Sequence, residues 1–271
     1  MRMKDYVQYQ RVAEIPGLVL SKARFSEFSF DRHFHLDYHV GLVTEGVLRQ
    51  RFKGKTVLLG PGSIALMPPG EIHDGMRDSE HAYTLKTFRL SPDLLREVAE
   101  ELSGTRREPE PVPMVLEDRE LADRLLRLHC ALLPESGAGP MLLQSEWLTL
   151  FGQLFSRSRT VVPQSVDGAL STAQWQRVKD YCCANLAEKI TLEELAALCG
   201  LGRFQFLRQF KHTVGMTPHA WLVRLRLEQA CALLARKALT VAQVAQGVGF
   251  YDQSHFNRAF RQAFGVTPSS Y

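Results

Sequence analysis

The chain of 271 residues has no long apolar run. Its longest apolar windows, such as 63–69, are strand-sized, far short of the ~20 residues of a membrane helix. A membrane partner is therefore not expected. The start, Met1-Arg2-Met3-Lys4-Asp5-Tyr6, leads into no apolar stretch, so no secretory signal is expected and the reading is cytoplasmic. Cysteine is scarce and oddly numbered: five in all, Cys130, Cys182, Cys183, Cys199 and Cys231, two of them adjacent and none in a C-x-x-C pair. That argues against a disulfide framework and against cysteine-held zinc, leaving reduced, buried thiols. No glycine-rich phosphate loop, nucleophile elbow or carboxylate dyad is visible. Low-complexity tracts are also missing. A chain that is 45% hydrophobic and 23% charged has ordinary globular composition and length for two modest domains.

What is present is unevenly placed. The formal charge of +4 conceals a division. From Leu170 onward twelve cations face six anions, a surplus of six. The remainder holds twenty-one cations against twenty-three anions. A basic C-terminal part suits nucleic acid or another anionic surface.

The N-terminal part reads as β structure. Short β-branched and aromatic runs occur at 25–30, 40–43, 47–52, 56–59, 63–67 and 84–90, punctuated by Gly and Pro. Lys53-Gly54-Lys55 marks a tight turn. Such close spacing predicts a barrel or sandwich. Pro92 opens a helical run to Leu102, and 103–113 reads as a loop. Leu121, Leu125, Leu128 and Leu132, then Leu143, Trp147, Leu150, Phe151 and Leu154, keep helical spacing. These stripes either cover the barrel or, over 118–156, pair with a second copy of the chain. The polar stretch 156–171, broken by Pro163 and Gly168, is where a linker is expected.

Everything after it has helical periodicity, and it contains a repeat. Thr191, Leu192, Leu195, Ala196, Cys199 and Gly200 match Thr240, Val241, Val244, Ala245, Val248 and Gly249 at an offset of 49. After a one-residue slip, Phe206, Arg208, Phe210 and Lys211 match Phe256, Arg258, Phe260 and Arg261 at an offset of 50. Gly215, Thr217 and Pro218 match Gly265, Thr267 and Pro268. Thr191 with Glu194, and Thr240 with Gln243, are capping boxes that start a short helix. Gly200 or Gly249 turns the chain. A second helix then begins near Arg203 or Asp252, apolar on one side and basic on the other. Each copy is a helix-turn-helix. A helical run 218–237 joins them, ~30 Å long, close to the ~34 Å between successive major grooves on one side of a duplex.

The second copy, Gly247-Val248-Gly249-Phe250-Tyr251-Asp252-Gln253-Ser254-His255-Phe256-Asn257-Arg258-Ala259-Phe260-Arg261 to Phe264-Gly265-Val266-Thr267-Pro268, closely resembles the signature of the AraC/XylS transcription regulators. The first, Leu207-Arg208-Gln209-Phe210-Lys211 to Gly215-Met216-Thr217-Pro218, resembles it too, but carries apolar Leu207 where many members are polar. The resemblance implies double-stranded promoter DNA as partner, with RNA polymerase as a second partner for an activator. By position it offers Arg203, Phe204, Gln205, Leu207, Arg208 and Lys211 from the first recognition helix. From the second it offers Gln253, Ser254, His255, Asn257, Arg258 and Arg261. Arg reads guanine and Gln or Asn reads adenine, while Phe204 and Leu207 would meet a thymine methyl. Lys211 and Arg261 are assigned to phosphate.

Three of nine histidines crowd into seven residues: His33, His35 and His39. His33 and His35, two apart on one strand, would share a face. His73 stands near the end of a later strand. The spacings His33, His35, His39, Gly46 and then Gly62, Pro68, Gly70, His73 resemble the two cupin motifs, with His39 in a slot usually held by Glu. His129, His212 and His219 show no partner spacing. The expected architecture is thus multidomain α and β: an N-terminal cupin-like β-barrel with covering helices, and a C-terminal all-α domain with two helix-turn-helix motifs. Residues 1–157 would sense an effector and dimerise, 158–171 link, and 172–271 bind DNA.

Three readings of the histidines are open. They line a pocket for a small organic effector, they hold Zn²⁺ or another divalent metal, or they are plain barrel-mouth residues. No cofactor is required. The alternative function is a metal-dependent cupin enzyme fused to a DNA-binding domain. Four histidines would fill a zinc tetrahedron and leave catalysis no open position.

Overall fold

The computed structural model describes residues 5–78, 81–106, 109–160, 168–236, 238–264 and 266–270. The chain forms two compact units, one of residues 1–136 and 147–164, the other of 137–146 and 165–271.

Strands alternating with tight turns build the first unit. They are β1 (Tyr6–Arg11), β2 (Leu18–Phe25), β3 (Phe30–His33), β4 (Tyr38–Glu45), β5 (Leu48–Phe52), β6 (Lys55–Leu59), β7 (Ser63–Met67), β8 (His73–Arg77) and β9 (Tyr83–Leu90). Helix α1 (Pro92–Ser103), strand β10 (Met114–Glu117) and helix α2 (Arg119–Ala131) follow, and helix α3 (Pro140–Arg157) belongs to this unit from Trp147 on. All pairings are antiparallel. One sheet has the order β1-β2-β9-β4-β7-β10 and the other β3-β8-β5-β6. The turn at Lys53-Gly54 joins β5 to β6, both residues at positive φ.

Strand alternation gives the larger sheet two faces. Leu20, Val40, Leu42, Leu66, Phe88 and Leu90 point one way and are fully buried. The helices cover them: Phe88 meets Phe151 of α3 and His129 of α2 edge-on, and Tyr38 meets Phe155. At ~1.5–3 kcal/mol per buried large apolar side chain, this face is the main core of the unit. The leucine stripes of α2 and α3 are consumed here. Leu121, Leu125, Leu128, Leu150 and Leu154 are all buried within one copy of the chain. The barrel-covering reading of the stripe is the one the structure follows. Helix α1 starts where Ser91 accepts from the Leu94 N–H, with Pro92 at the first position, and ends at Gly104.

The second unit holds α4 (Thr172–Ala184), α5 (Leu192–Leu198), α6 (Arg203–Val214), α7 (Pro218–Ala235), α8 (Val241–Gly247) and α9 (Gln253–Phe264). Capping boxes start α4 (Ser171, Gln174), α5 (Thr191, Glu194) and α8 (Thr240, Gln243). The bounds of α8 repeat those of α5 at 49, and the bounds of α9 repeat those of α6 at 50. The slip therefore lies in the turn, which is one residue longer in the second copy. Phe210 packs against Trp175, Trp221 and, one helix turn back, Phe206. Phe256 and Phe260 pack with Val244, Ala245, Val248, Phe250 and Leu227. Helix α7 has 18 residues, ~27 Å. Lys237, at the end of the expected run, Gly265 of the signature and 161–167 of the expected linker lie outside the described residues. No helix among the described residues is long and apolar enough to cross a membrane.

Candidate functional site

The inner face of the larger sheet is the reverse of its outer face. Pairing register sets four small residues side by side: Ser21 on β2, Thr87 on β9, Gly41 on β4 and Ala65 on β7. Opposite, on the smaller sheet, Gly75 of β8 lies between Gln50 and Phe30. Small side chains on facing walls leave space, and a cavity of about 160 Å³ lies between the sheets. Phe25, Leu48, Tyr83 and Leu85 also line it, and one end is edged by His33, His35, His39, His73, Met67 and Arg89.

All four sequence-singled histidines therefore border one cavity. His33, His35 and His73 each present a ring nitrogen within 4.8 Å of the others. His39 stands behind them, stacked on His35 with ring centres 3.9 Å apart. Two expectations need correction. His35 does not share a strand with His33: β3 ends at His33, and the loop after it brings the His35 ring to 4.8 Å from His33. His73 begins β8 rather than ending a strand, and pairs directly with His33.

Backbone carbonyls orient two of the rings. His33 Nδ1 lies 2.7 Å from the Asp31 carbonyl, and His73 Nδ1 lies 2.9 Å from that of Glu71. A carbonyl only accepts, so each Nδ1 carries a proton, and in the neutral ring the lone pair is then on Nε2. Burial, with the charges of neighbouring groups, lowers the pKa of His35 to about 4 and of His39 to about 2, and burial lowers that of His73. These three are neutral imidazoles at pH 7, the form that ligates a metal or accepts a hydrogen bond.

Several polar atoms around the cavity are buried without a partner: Gln50 Oε1, His39 Nε2, Tyr83 OH and Arg89 Nε. Buried polar groups are normally satisfied. Ser21 and Thr87, by contrast, bond one another at 2.6 Å, and Asp74 is held by the Arg51 backbone and side chain at 3.0 and 3.1 Å. Sequence reasoning missed Gln50, Arg89 and the small-residue row. Their common face appears only once the pairing register is known.

His129 lies directly behind this wall. It is buried and donates from Nε2 to the Ser21 carbonyl at 3.1 Å. Burial lowers its pKa to about 4, helped by the charges of Lys86 and Lys22.

On the second unit, the exposed faces of α6 and α9 carry Arg208, Lys211, Gln253, Ser254, His255, Arg258 and Arg261. Arg203, Gln205 and Asn257 are half-buried. Phe204 and Leu207 are a correction. They are only 7% and 5% exposed, because the apolar side of α6 is broad enough to include them with Phe206 and Phe210. Neither is presented to a thymine methyl. The Arg208 guanidinium lies over the Phe204 ring at 5.7 Å, so Phe204 supports a cation instead. Asp252 caps α9 by accepting from the His255 N–H at 2.7 Å.

Comparison with known proteins accounts for both units. The family described as AraC-like ligand binding domain matches residues 15–151, and that described as Helix-turn-helix domain matches 195–271. The uncharacterized HTH-type transcriptional regulator YbfI of Bacillus subtilis is 26% identical over 247 residues, 89% of this chain and 86% of its own length. The MmsAB operon regulatory protein of Pseudomonas aeruginosa is 29% identical over 261 residues, 92% of this chain and 79% of its own. Among solved structures, ToxT of Vibrio cholerae aligns over 94% of this chain and 96% of its own, at 13% identity and a TM-score of 0.40. The ligand-binding match alone spans half of the chain, and the chain belongs to the AraC family of DNA-binding transcription regulators, with an N-terminal ligand-binding domain and a C-terminal helix-turn-helix domain.

Proposed function

We propose that a small effector enters the cavity beside His33, His35, His39 and His73, and that its occupancy controls promoter binding by α6 and α9. The observation that carries this reading is the set of unpartnered buried polar atoms around a preformed cavity, in a chain that also bears two helix-turn-helix copies. An effector shifts such an equilibrium only by binding one arrangement of the protein better than another. Arg258 and Gln253 read bases, and Lys211 and Arg261 hold phosphates. The protein works in the cytoplasm as a homodimer on paired half-sites, and as an activator it contacts RNA polymerase. The sensing part covers 1–157, the link 158–171 and the DNA-binding part 172–271. The cavity binds rather than catalyses: its carboxylate, Asp74, is already engaged by Arg51.

The test is selection of random duplexes on the full-length protein, followed by binding at several salt concentrations. Enrichment of a two-part site is expected, with affinity falling steeply as salt rises. No enrichment over the starting pool would sink the reading. In a reporter assay, the His35→Ala, His73→Ala double variant should lose the effector response while retaining the selected site.

A specific observation also favours a metal. His33 and His73 are tautomerically fixed with Nε2 free, and neutral His35 completes a trio. The donor set fits a borderline divalent ion such as Zn²⁺, which would act there as a Lewis-acidic anchor for an effector oxygen. Equilibrium dialysis should show one Zn²⁺ per chain, lost in His33→Ala. Equal uptake by the variant would refute it.

A further inference from the structure

The size of the cavity and the chemistry of its unmet atoms narrow the class of occupant, on the reading that this cavity is the effector site. About 160 Å³ is close to the ~150 Å³ cavity that holds one benzene ring. It is smaller than the ~300–1,000 Å³ of pockets for drug-sized ligands. A long acyl chain or a nucleotide would therefore not fit inside it whole.

The polar atoms lie at two levels. The outer level has Arg89, paired directly across from His39, beside the histidine trio. Arg89 gives one Nη2 to Asp37 at 2.9 Å, and its Nε is buried without a partner. A guanidinium has five N–H donors, so this level favours an acid oxygen. Two residues further in, about 7 Å along the strands, lies the level of Gln50 and the small-residue row. Gln50 Oε1 is buried, unpartnered and an acceptor only, so it calls for a donor. Ser21 and Thr87 at this level are bonded to each other. Between and beyond these levels the lining is mostly apolar, with Phe25, Phe30, Leu48 and Leu85; the exceptions are the Tyr83 hydroxyl and Asp74, the latter held by Arg51. A monosaccharide of equal volume would bring several hydroxyls to this lining and leave most of them unpaired.

We propose that the occupant is a compact single-ring acid with a hydrogen-bond donor on the ring edge opposite its acidic group. The acid oxygens face the Arg89 guanidinium. The ring fills the space opened by Gly41, Ala65 and Gly75. The donor meets Gln50 Oε1. One ring is the length that spans the two levels.

Isothermal titration of the full-length protein tests this with three probes of one shape: 4-hydroxybenzoate, benzoate without the donor, and 4-hydroxybenzyl alcohol without the acid. The first should bind about tenfold tighter than either of the others. Gln50→Leu should erase its advantage over benzoate and leave benzoate unaffected. Arg89→Gln should erase its advantage over the alcohol. Gly41→Val, whose Cβ would meet Ala65 Cβ and Leu85 Cδ1 at an ordinary 3.6 Å, fills the cavity and should abolish binding of all three. Ala65→Leu fills the same space from the next strand if Gly41→Val does not fold. Equal binding of the three probes, no binding of any at millimolar concentration, or a hydroxyl preference that survives Gln50→Leu overturns the class. The cavity reading then still stands if a folded filled variant loses the effector response. Binding of the probes to a folded filled variant as to wild type overturns both.

Discussion

Gly200 and Gly249 hold the same place in the two copies of the repeat, yet their replacement by alanine should have unequal consequences. Both have positive φ, 66° and 84°. Left-handed backbone costs an alanine about 1–2 kcal/mol, partly offset by its stiffer unfolded chain. Around Gly200 an added Cβ meets nothing within 4 Å, so Gly200→Ala should cost about 1 kcal/mol. At Gly249 an added Cβ would overlap the Leu186 carbonyl oxygen and lie 2.7 Å from Arg226 Nη2. That guanidinium is not idle. Its Nε donates to the Leu186 carbonyl at 3.1 Å and its Nη2 to the Glu188 carbonyl at 2.8 Å, tying α7 to the segment after α4. Hydrogen bonds to charged groups contribute about 1.5–3 kcal/mol each. Displacing Arg226 and weakening both brings the expected cost of Gly249→Ala to roughly 3–5 kcal/mol. Urea unfolding of the full chain in a Trp147→Phe background checks this, because Trp175 and Trp221 then report on the C-terminal unit alone. Losses equal within about 0.5 kcal/mol would refute the argument that close approach, rather than φ, dictates Gly249.

Further outcomes follow from the same geometry. Arg258→Ala should cost about 1–3 kcal/mol on the selected duplex and relax preference at one base pair, whereas Lys211→Ala should weaken all duplexes alike and lower the salt slope by about one; competition titrations separate the two. His129 has its pKa lowered to about 4 in the folded chain, so below pH 6.5 the unfolded chain binds the extra proton, and its contribution, present above 6.5, is lost as pH falls toward 4. Thermal unfolding should accordingly show a stability slope of up to about 1.4 kcal/mol per pH unit over that window that is missing in His129→Gln; identical slopes would mean that His129 is already charged. The leucine stripe is buried within one copy, so a homodimer must use other surface, and Leu125→Ala should lower thermal stability by about 2–5 kcal/mol without altering the sedimentation coefficient.

The DNA-binding unit was legible because its signals are local. A capping box declares itself within four residues, and Thr191 with Glu194 and Thr240 with Gln243 start helices where the sequence places them. The one-residue slip in the repeat is a real lengthening of the turn. Burial depth on α6 was not legible, because an i, i+4 stripe leaves open how wide the apolar side is. Phe204 and Leu207 lie on its margin, and the fold draws them in. In the first unit the strand expectations at 63–67 and 84–90 match β7 and β9 closely, while β1 and β10 carry weak local signals and pair at sheet edges. The histidine cluster could be read from spacing, but not the mode of its assembly. His35 arrives by a loop, and His73 by pairing with His33 across the smaller sheet.

The larger sheet shows why the cavity is not an accident of loose packing. Its two faces use the same four strands with opposite choices of side chain. The face under the helices carries Leu20, Phe88, Val40 and Leu66 in one row across β2, β9, β4 and β7. One residue away, the row facing the cavity is Ser21, Thr87, Gly41 and Ala65. Leaving about 160 Å³ between the sheets forgoes the packing that a filled wall would give. The helix-facing row shows that this sequence fills space where filling is all that is needed. His129 connects the two faces, since it bonds the carbonyl of Ser21 while its ring packs edge-on against Phe88. On the proposed function, a ligand that displaced the Ser21 carbonyl from the cavity side would act on α2 through that bond, and its binding would stabilise the fold.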